Sequence, residues 1–194
     1  MKKKIKIKMQ ANKPPKGKRK NIIKELFCVN GKFDFIGLLK NIAIPLFGGI
    51  LVGLITKGSM STYDSLKKSI LNPPSIVFPI VWSILYVLMG LAAYRIYMNN
   101  KDGRNDYNGY FYYFIQLLIN FLWSIIFFNL RLYGISFILI VILLVLIIIT
   151  TVKFFKVDKI SGTLMTPYIA WVAFASYLTF YIPSKFNPQI NFIP

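Results

Sequence analysis

The sequence predicts an all-α integral membrane protein, a bundle of five transmembrane helices. Three observations predict it. The 194 residues are 56% hydrophobic, with a mean hydropathy of +0.56, above the apolar share of an ordinary soluble domain. Charge and apolar residues are segregated: residues 1–40 hold 13 of the 24 Lys and Arg against 2 acids, a net of +11, and the other 154 residues carry +7. The remainder divides into apolar runs near the 20 or so residues that cross a bilayer, each bounded by charge or turn residues.

The runs are Asn41–Thr56, Ser75–Tyr97, Tyr110–Leu130, Tyr133–Val152 and Thr163–Ile182. The first is short unless Phe35–Lys40 joins it with the lysine snorkelling outward. Between them lie "KGSMSTYDSLKKSILNPP", "MNNKDGRNDYNG", the tight turn "RL" and "KFFKVDKISG". The division is a basic, largely disordered tail over 1–40, a membrane domain over 41–185 and a short end over 186–194. The basic region is too long for the n-region of a signal peptide. With the N-terminus inside, the inner face takes 19 Lys and Arg, Arg95 among them, and the outer face 5, so the expected topology is N-in and C-out. The Ile-, Lys-, Asn- and Phe-rich composition suggests a bacterial plasma membrane.

One cysteine, Cys28, and no histidine exclude disulfide frameworks, Cys/His metal sites and a histidine-centred triad. No metal is expected. The acids after residue 40 (Asp64, Asp102, Asp106 and Asp158) all lie in loops, which speaks against acid–base catalysis within the membrane. A nucleic-acid binder would spread its basic groups over folded modules, and the tail lacks aromatic residues to stack bases. No nucleic-acid partner is expected.

The fourth run is Ile, Leu and Val nearly all round and suits the periphery. In the first, Gly49 and Gly53 have a small-xxx-small spacing that serves either internal packing or a homodimer face. The other three carry stripes at helical spacing: Pro79, Trp82, Tyr86 and Gly90; Tyr113, Gln116, Asn120, Trp123 and Phe127; and Pro167, Trp171, Phe174 or Ala175, Leu178 and Tyr181. Gln116 and Asn120 are costly toward lipid and should point inward, to one another or to a cavity. Pro79 should kink its helix and open space beside Trp82. Three converging stripes indicate a shared pocket with Trp82 and Trp171 on one cavity.

The stretches "NPPSIVFPIVWSILYVLMG", "QLLINFLWSIIFFNLR" and "PYIAWVAFASYLTFYI" closely resemble, in order and spacing, the translocator protein or tryptophan-rich sensory protein family over residues 41–185. The resemblance implies a receptor or sensor that binds porphyrins such as protoporphyrin IX or haem, with no obligatory cofactor and a role in tetrapyrrole transport or regulation. It puts Trp82, Asn120, Trp123, Trp171 and Ala175 at the pocket, beside Pro79, Tyr86 and Gln116 from the stripes, with Tyr63 as a loop lid. It also implies an alternative, an enzyme that degrades porphyrin in light through Trp82 and Trp171. The family usually has a Trp before the loop Tyr and another before the Pro-Pro pair; here stand Thr62 and, one residue further out, Leu71. A tetrapyrrole is a flat apolar plate with carboxylates at one edge, suited to indole stacking and to loop cations such as Lys67 or Lys68. Leu178, Tyr181 and Lys185 fit a sterol-recognition pattern, which is also the reading of a plain interface anchor. The expected partners are thus a tetrapyrrole, membrane lipid and, on this pattern, a sterol.

Because the tail lies outside the spans, deleting residues 1–20 should leave protoporphyrin affinity unchanged while lowering insertion fidelity. Equilibrium titration and protease mapping of the truncated protein check both.

Overall fold

The computed structural model describes residues 22–59, 73–104 and 107–186, without the side chains of Ile22 and 181–186. Tyr63, Lys67, Lys68, the first 20 residues and the side chains of Tyr181 and Lys185 therefore lie outside the described residues. Among the described residues six α-helices follow in order: α1 (Ile22–Phe27), α2 (Phe35–Thr56), α3 (Val77–Lys101), α4 (Tyr107–Ile125), α5 (Tyr133–Val157) and α6 (Lys159–Phe186). A 3₁₀ turn (Lys57–Ser59) extends α2, and a π turn (Ile126–Leu130) ends α4.

Four of these helices are long and apolar enough to cross a membrane: α2, α3, α4 and α5, with α2 and α4 counted through their terminal turns. The longest, α6, has 28 residues, about 42 Å at 1.5 Å per residue. The five long helices close a ring. α2 packs on α3 and α4, α3 on α6, α6 on α5, and α5 on α4.

Local chemistry sets the helix ends. Asp34, in extended conformation, accepts the Gly37 amide at 2.8 Å and caps α2. The first span therefore begins at Phe35, not at residue 41, and Lys40 lies on it, exposed. Arg131 adopts the left-handed conformation (φ +56°) and its amide closes on the Ile126 carbonyl, which makes "RL" the tight turn expected.

The loop expected at "KFFKVDKISG" shrinks to a single residue. α5 runs to Val157, and Asp158 alone breaks the helix. Its carboxylate accepts the amides of Ile160 (2.8 Å) and Ser161 (3.0 Å), so the same residue starts α6.

Pro79 does not kink α3. It stands in the first turn, where the missing amide hydrogen has no intrahelical partner to lose. The glycines of α2 pack internally: a β-carbon on Gly48 would collide with the Phe121 ring and one on Gly49 with the Tyr86 ring. Gly53 has open space instead. Across the same interface, a β-carbon on Gly90 would lie 2.5 Å from Ile42 Cα, so α2 and α3 touch backbone to backbone. The least buried span is α2, not the aliphatic α5, which presents Ile140, Leu143, Ile147 and Phe154 to the core.

At the N-terminal end of the bundle a buried ion pair ties three segments together. Arg95, counted above among the inner-face cations, is 6% exposed and donates to Asp158, 9% exposed, through Nη2 at 2.7 Å and Nε at 3.1 Å. Its Nη1 donates to the carbonyls of Glu25 (2.6 Å) and Leu26 (2.8 Å), the last turn of α1. Residues 22–34 thus belong to the folded body. Between α1 and α2, Asn30 and Gly31 both take positive φ (51° and 76°), the tight reversal that Asn-Gly favours. It buries Val29 and exposes Lys32. Lys32 pairs with Asp102 at 2.8 Å and Lys101 with Asp34 at 3.0 Å.

Burial pushes the Asp158 carboxyl up, but Arg95 and the Ser161 and Ile160 amides outweigh it and hold its pKa below the ordinary carboxylate value. A lowered folded pKa means the pair's stabilisation is complete above the ordinary value and is lost as pH falls through the folded one. Asp158→Asn strands a buried guanidinium, at a cost on the order of 3 kcal/mol. Thermal unfolding in detergent should show a lower Tm at neutral pH and a weaker loss of Tm on acidification than in the parent.

Candidate ligand-binding cavity

The first turns of α3 repeat apolar and aromatic residues every three to four positions, which puts Phe78, Pro79, Trp82 and Tyr86 along one side. That side, Gly49, Gly53 and Thr56 of α2, and Ser124 and Phe128 at the end of α4 enclose a cavity of about 210 Å³. Gly53, open to any β-carbon, is part of its wall. Trp82 forms part of its wall. The indole stacks on Tyr86 at 5.5 Å, meets Tyr168 edge-on at 6.0 Å, and lies 6.5 Å from Trp123.

Behind Trp82 runs a hydrogen-bond chain with one direction. Tyr86 Oη donates to Asn120 Oδ1 (2.9 Å), Asn120 Nδ2 to Tyr168 Oη (3.1 Å), and Tyr168 Oη to Gln116 Oε1 (2.9 Å). Gln116 and Asn120 point inward, as lipid dictates, and they meet through the Tyr168 hydroxyl rather than directly. All four residues are buried. Gln116 Nε2 and Trp123 Nε1 are buried donors without an acceptor among the described residues.

Pro79, Trp82 and Tyr86 line the cavity directly, and Asn120, Trp123 and Gln116 form the layer behind it. Trp171 is elsewhere. It lies in a groove of about 420 Å³ between α3 and α6, with Val81, Leu85, Leu88, Pro167 and Phe174. Phe78 separates the two spaces, lining the cavity and meeting the Trp171 ring at 5.9 Å. The two tryptophans do not share the cavity because the inward face of α6 runs through Met165, Tyr168, Val172, Ala175 and Leu178: it keeps Ala175 and Leu178 of the expected stripe but has Tyr168 and Val172 in place of Pro167 and Trp171. Ala175 belongs to that buried face. So does Leu178, which is 3% exposed and turned away from surrounding lipid.

Tyr168 is the member of the polar chain that sequence reasoning missed. Its signal was available: Gln116 and Asn120 both need a partner within the membrane, and Tyr168 is the hydroxyl-bearing aromatic next to Pro167 in "PYIAW".

A family model, TspO/MBR, matches residues 41–184. The chain belongs to the TspO/MBR family. It is 38% identical over 127 residues to the tryptophan-rich protein TspO of Chlorobaculum tepidum, covering 65% of this chain and 79% of that protein. It is 33% identical over 150 residues to the tryptophan-rich protein TspO of Archaeoglobus fulgidus, covering 77% and 96%. It is 29% identical over 126 residues to the human translocator protein, covering 61% and 70%. The TspO/MBR match includes α3–α6 almost entirely and begins inside α2, so the cavity and its polar chain fall within it. The apolar helices and this membership make the chain an integral membrane protein.

Tyr168→Phe removes the bridging hydroxyl and leaves Asn120 Nδ2 and Gln116 Oε1 buried and unpaired, a loss of about 1–3 kcal/mol. Thermal unfolding should place this variant below the parent, while Tyr107→Phe, at an exposed position, melts like the parent.

Proposed function

We propose that this TspO/MBR protein is a membrane receptor or sensor that binds a porphyrin-type tetrapyrrole in the cavity beside Trp82. The observation that carries the reading is the Trp82 indole in the cavity wall, backed by Tyr86, Trp123 and Tyr168. This is a stacking surface for a flat apolar ring. A ligand that parted Trp82 from Trp123 would offer its carboxylates or ring nitrogens to the buried donors Trp123 Nε1 and Gln116 Nε2.

The cavity of about 210 Å³ is below the roughly 300–1,000 Å³ of drug-sized ligand sites, so a tetrapyrrole enters only if a wall moves. The wall suited to move is α2, the least buried span, whose contact with Tyr86 and Phe121 is made by Gly49 and Gly48. In this reading α6 is the fifth membrane span: its length exceeds the roughly 30 Å hydrocarbon layer, and it packs between α3 and α5. The N-terminal face is the inner one, because Lys24, Lys32, Lys40, Lys101, Arg104, Lys153, Lys156 and Lys159 gather there while Lys57 and Arg131 stand at the other end.

Binding ranks ahead of light-dependent breakdown because, among the described residues, the cavity wall supplies hydroxyls from Thr56, Ser83, Ser124 and Tyr86 over apolar surface, and no acid–base pair. Absorbance of the bound porphyrin in light and in darkness separates the two.

Titration with protoporphyrin IX should quench tryptophan fluorescence saturably. Trp82→Phe should weaken binding by about threefold to tenfold, with Trp171→Phe close to the parent. A loss confined to Trp171→Phe would move the site to the α3–α6 groove, and saturable quenching by neither porphyrin nor haem would defeat the proposal.

A further inference from the structure

Residues 22–40 precede the stretch that matches the family, 41–184, yet they are built onto its end. Besides the bonds from Arg95 to the Glu25 and Leu26 carbonyls, the Tyr94 hydroxyl donates to the Phe27 carbonyl (3.2 Å) and accepts the Asp34 amide (3.0 Å). Val29 is buried with Leu91, Tyr94 and Met98. Asn30 and Lys32 both donate to the Asp102 carboxylate, at 2.9 and 2.8 Å. The element is held on the last three turns of α3.

Its depth in the membrane follows from helix length. The 25 residues of α3 measure about 38 Å against a hydrocarbon layer of about 30 Å. With Val77 at one surface, Tyr97–Lys101 stand among the headgroups at the other, and so does the element docked there. Toward the outside it presents Ile23, 70% exposed, and Phe33, 51% exposed, with Phe35 and Ile36 just below. Lys24, Lys32 and Lys40 are exposed between them. Such a mixture of rings, branched aliphatics and lysines suits the boundary between acyl chains and phosphates.

The charges can be sorted. Lys32 and Lys101 are neutralised by Asp102 and Asp34, and Glu25 offsets one further charge in the sum. The excess comes from Lys40 and from the ten Lys and Arg, without an acid, in residues 1–20. An excess of that sign beside exposed apolar anchors complements an anionic headgroup layer.

We propose that residues 22–40 form a platform for anionic phospholipid in the leaflet on the N-terminal side, with Lys24 and Lys40 at the phosphates and Ile23 and Phe33 inserted at the acyl boundary. This rests on the membrane assignment and stands independently of the tetrapyrrole reading.

The test uses the full chain reconstituted in an equimolar mixture of phosphatidylglycerol and phosphatidylcholine, re-extracted mildly, with the co-purified lipid quantified. The parent should retain phosphatidylglycerol preferentially. Lys24→Gln/Lys40→Gln, which leaves both surface ion pairs intact, should lower that preference by about threefold or more. Phe33→Ser should lower it too; the lysine double variant should melt like the parent, whereas Phe33→Ser also gives up the edge-on contact with Tyr94 at 6.5 Å and should melt slightly lower. Equal retention of the two lipids by the parent overturns the proposal. So does a double variant that keeps the full preference, including the case in which only deletion of residues 1–20 removes it. RNA that binds the detergent-solubilised parent and loses affinity in the double variant would reassign the platform to nucleic acid.

Discussion

Asn120 is the residue at which the bundle's geometry is decided. Within a membrane an amide cannot turn to water, so its oxygen and nitrogen must both find partners on neighbouring helices. Its Oδ1 accepts a hydrogen bond from Tyr86 on α3 and its Nδ2 donates one to Tyr168 on α6. One side chain on α4 therefore sets the positions of two other helices, and the Tyr168 hydroxyl returns the chain to Gln116 on α4 itself. Trp82 gains its place from this: its neighbours Tyr86 and Tyr168 are held from behind by hydrogen bonds, which leaves their rings as fixed surfaces against the indole. A stacking site in lipid, where apolar contact alone discriminates little between partners, needs such polar anchoring to be specific.

A second polar point governs the N-terminal end. Arg95 has its charge met by Asp158 and its remaining donors met by α1 carbonyls. A guanidinium in fork geometry suits this, because one planar group serves a carboxylate and two backbone oxygens at once. The same Asp158 caps α6, so the ion pair, the α5–α6 joint and the docking of α1 are one arrangement.

Much of this was legible in the sequence. Apolar runs of membrane length located four of the long helices within a few residues, and "RL" is the turn it reads as. The aromatic stripe of α3 and the inward amides of α4 followed from spacing and from the cost of polar groups in lipid. What escaped has physical causes. Helices continued past the apolar runs because pairing at their ends, as at Asn99, Lys101 and Asp158, replaces the lipid that ends a hydropathy window. The inward face of α6 was misread because Trp171 and Tyr168 are less than one turn apart, and tryptophan outweighs tyrosine in any apolar ranking. Hydrogen-bond need, not ring size, chose Tyr168. Pro79 was read as a kink because nothing in an apolar run marks where its first turn lies. The order in residues 22–34 depends on Arg95 and Asp102, some 70 residues away, so no local pattern announces it.

The ring is closed by α6, the last helix among the described residues, set between α3 and α5. During synthesis α2 to α5 can enter the membrane before Tyr168 exists, and in that interval the Asn120 nitrogen and the Gln116 oxygen have no hydroxyl to meet. The single-residue joint at Asp158 shortens the interval, since α6 follows α5 without a loop to be threaded. The caps of α6 and the partner of Arg95 arrive together with that joint. Assembly is therefore arranged so that the step that extends the chain into α6 is also the step that quenches its exposed polarity, and a chain stopped before α6 carries unpaired amides in lipid as the mark of its incompleteness.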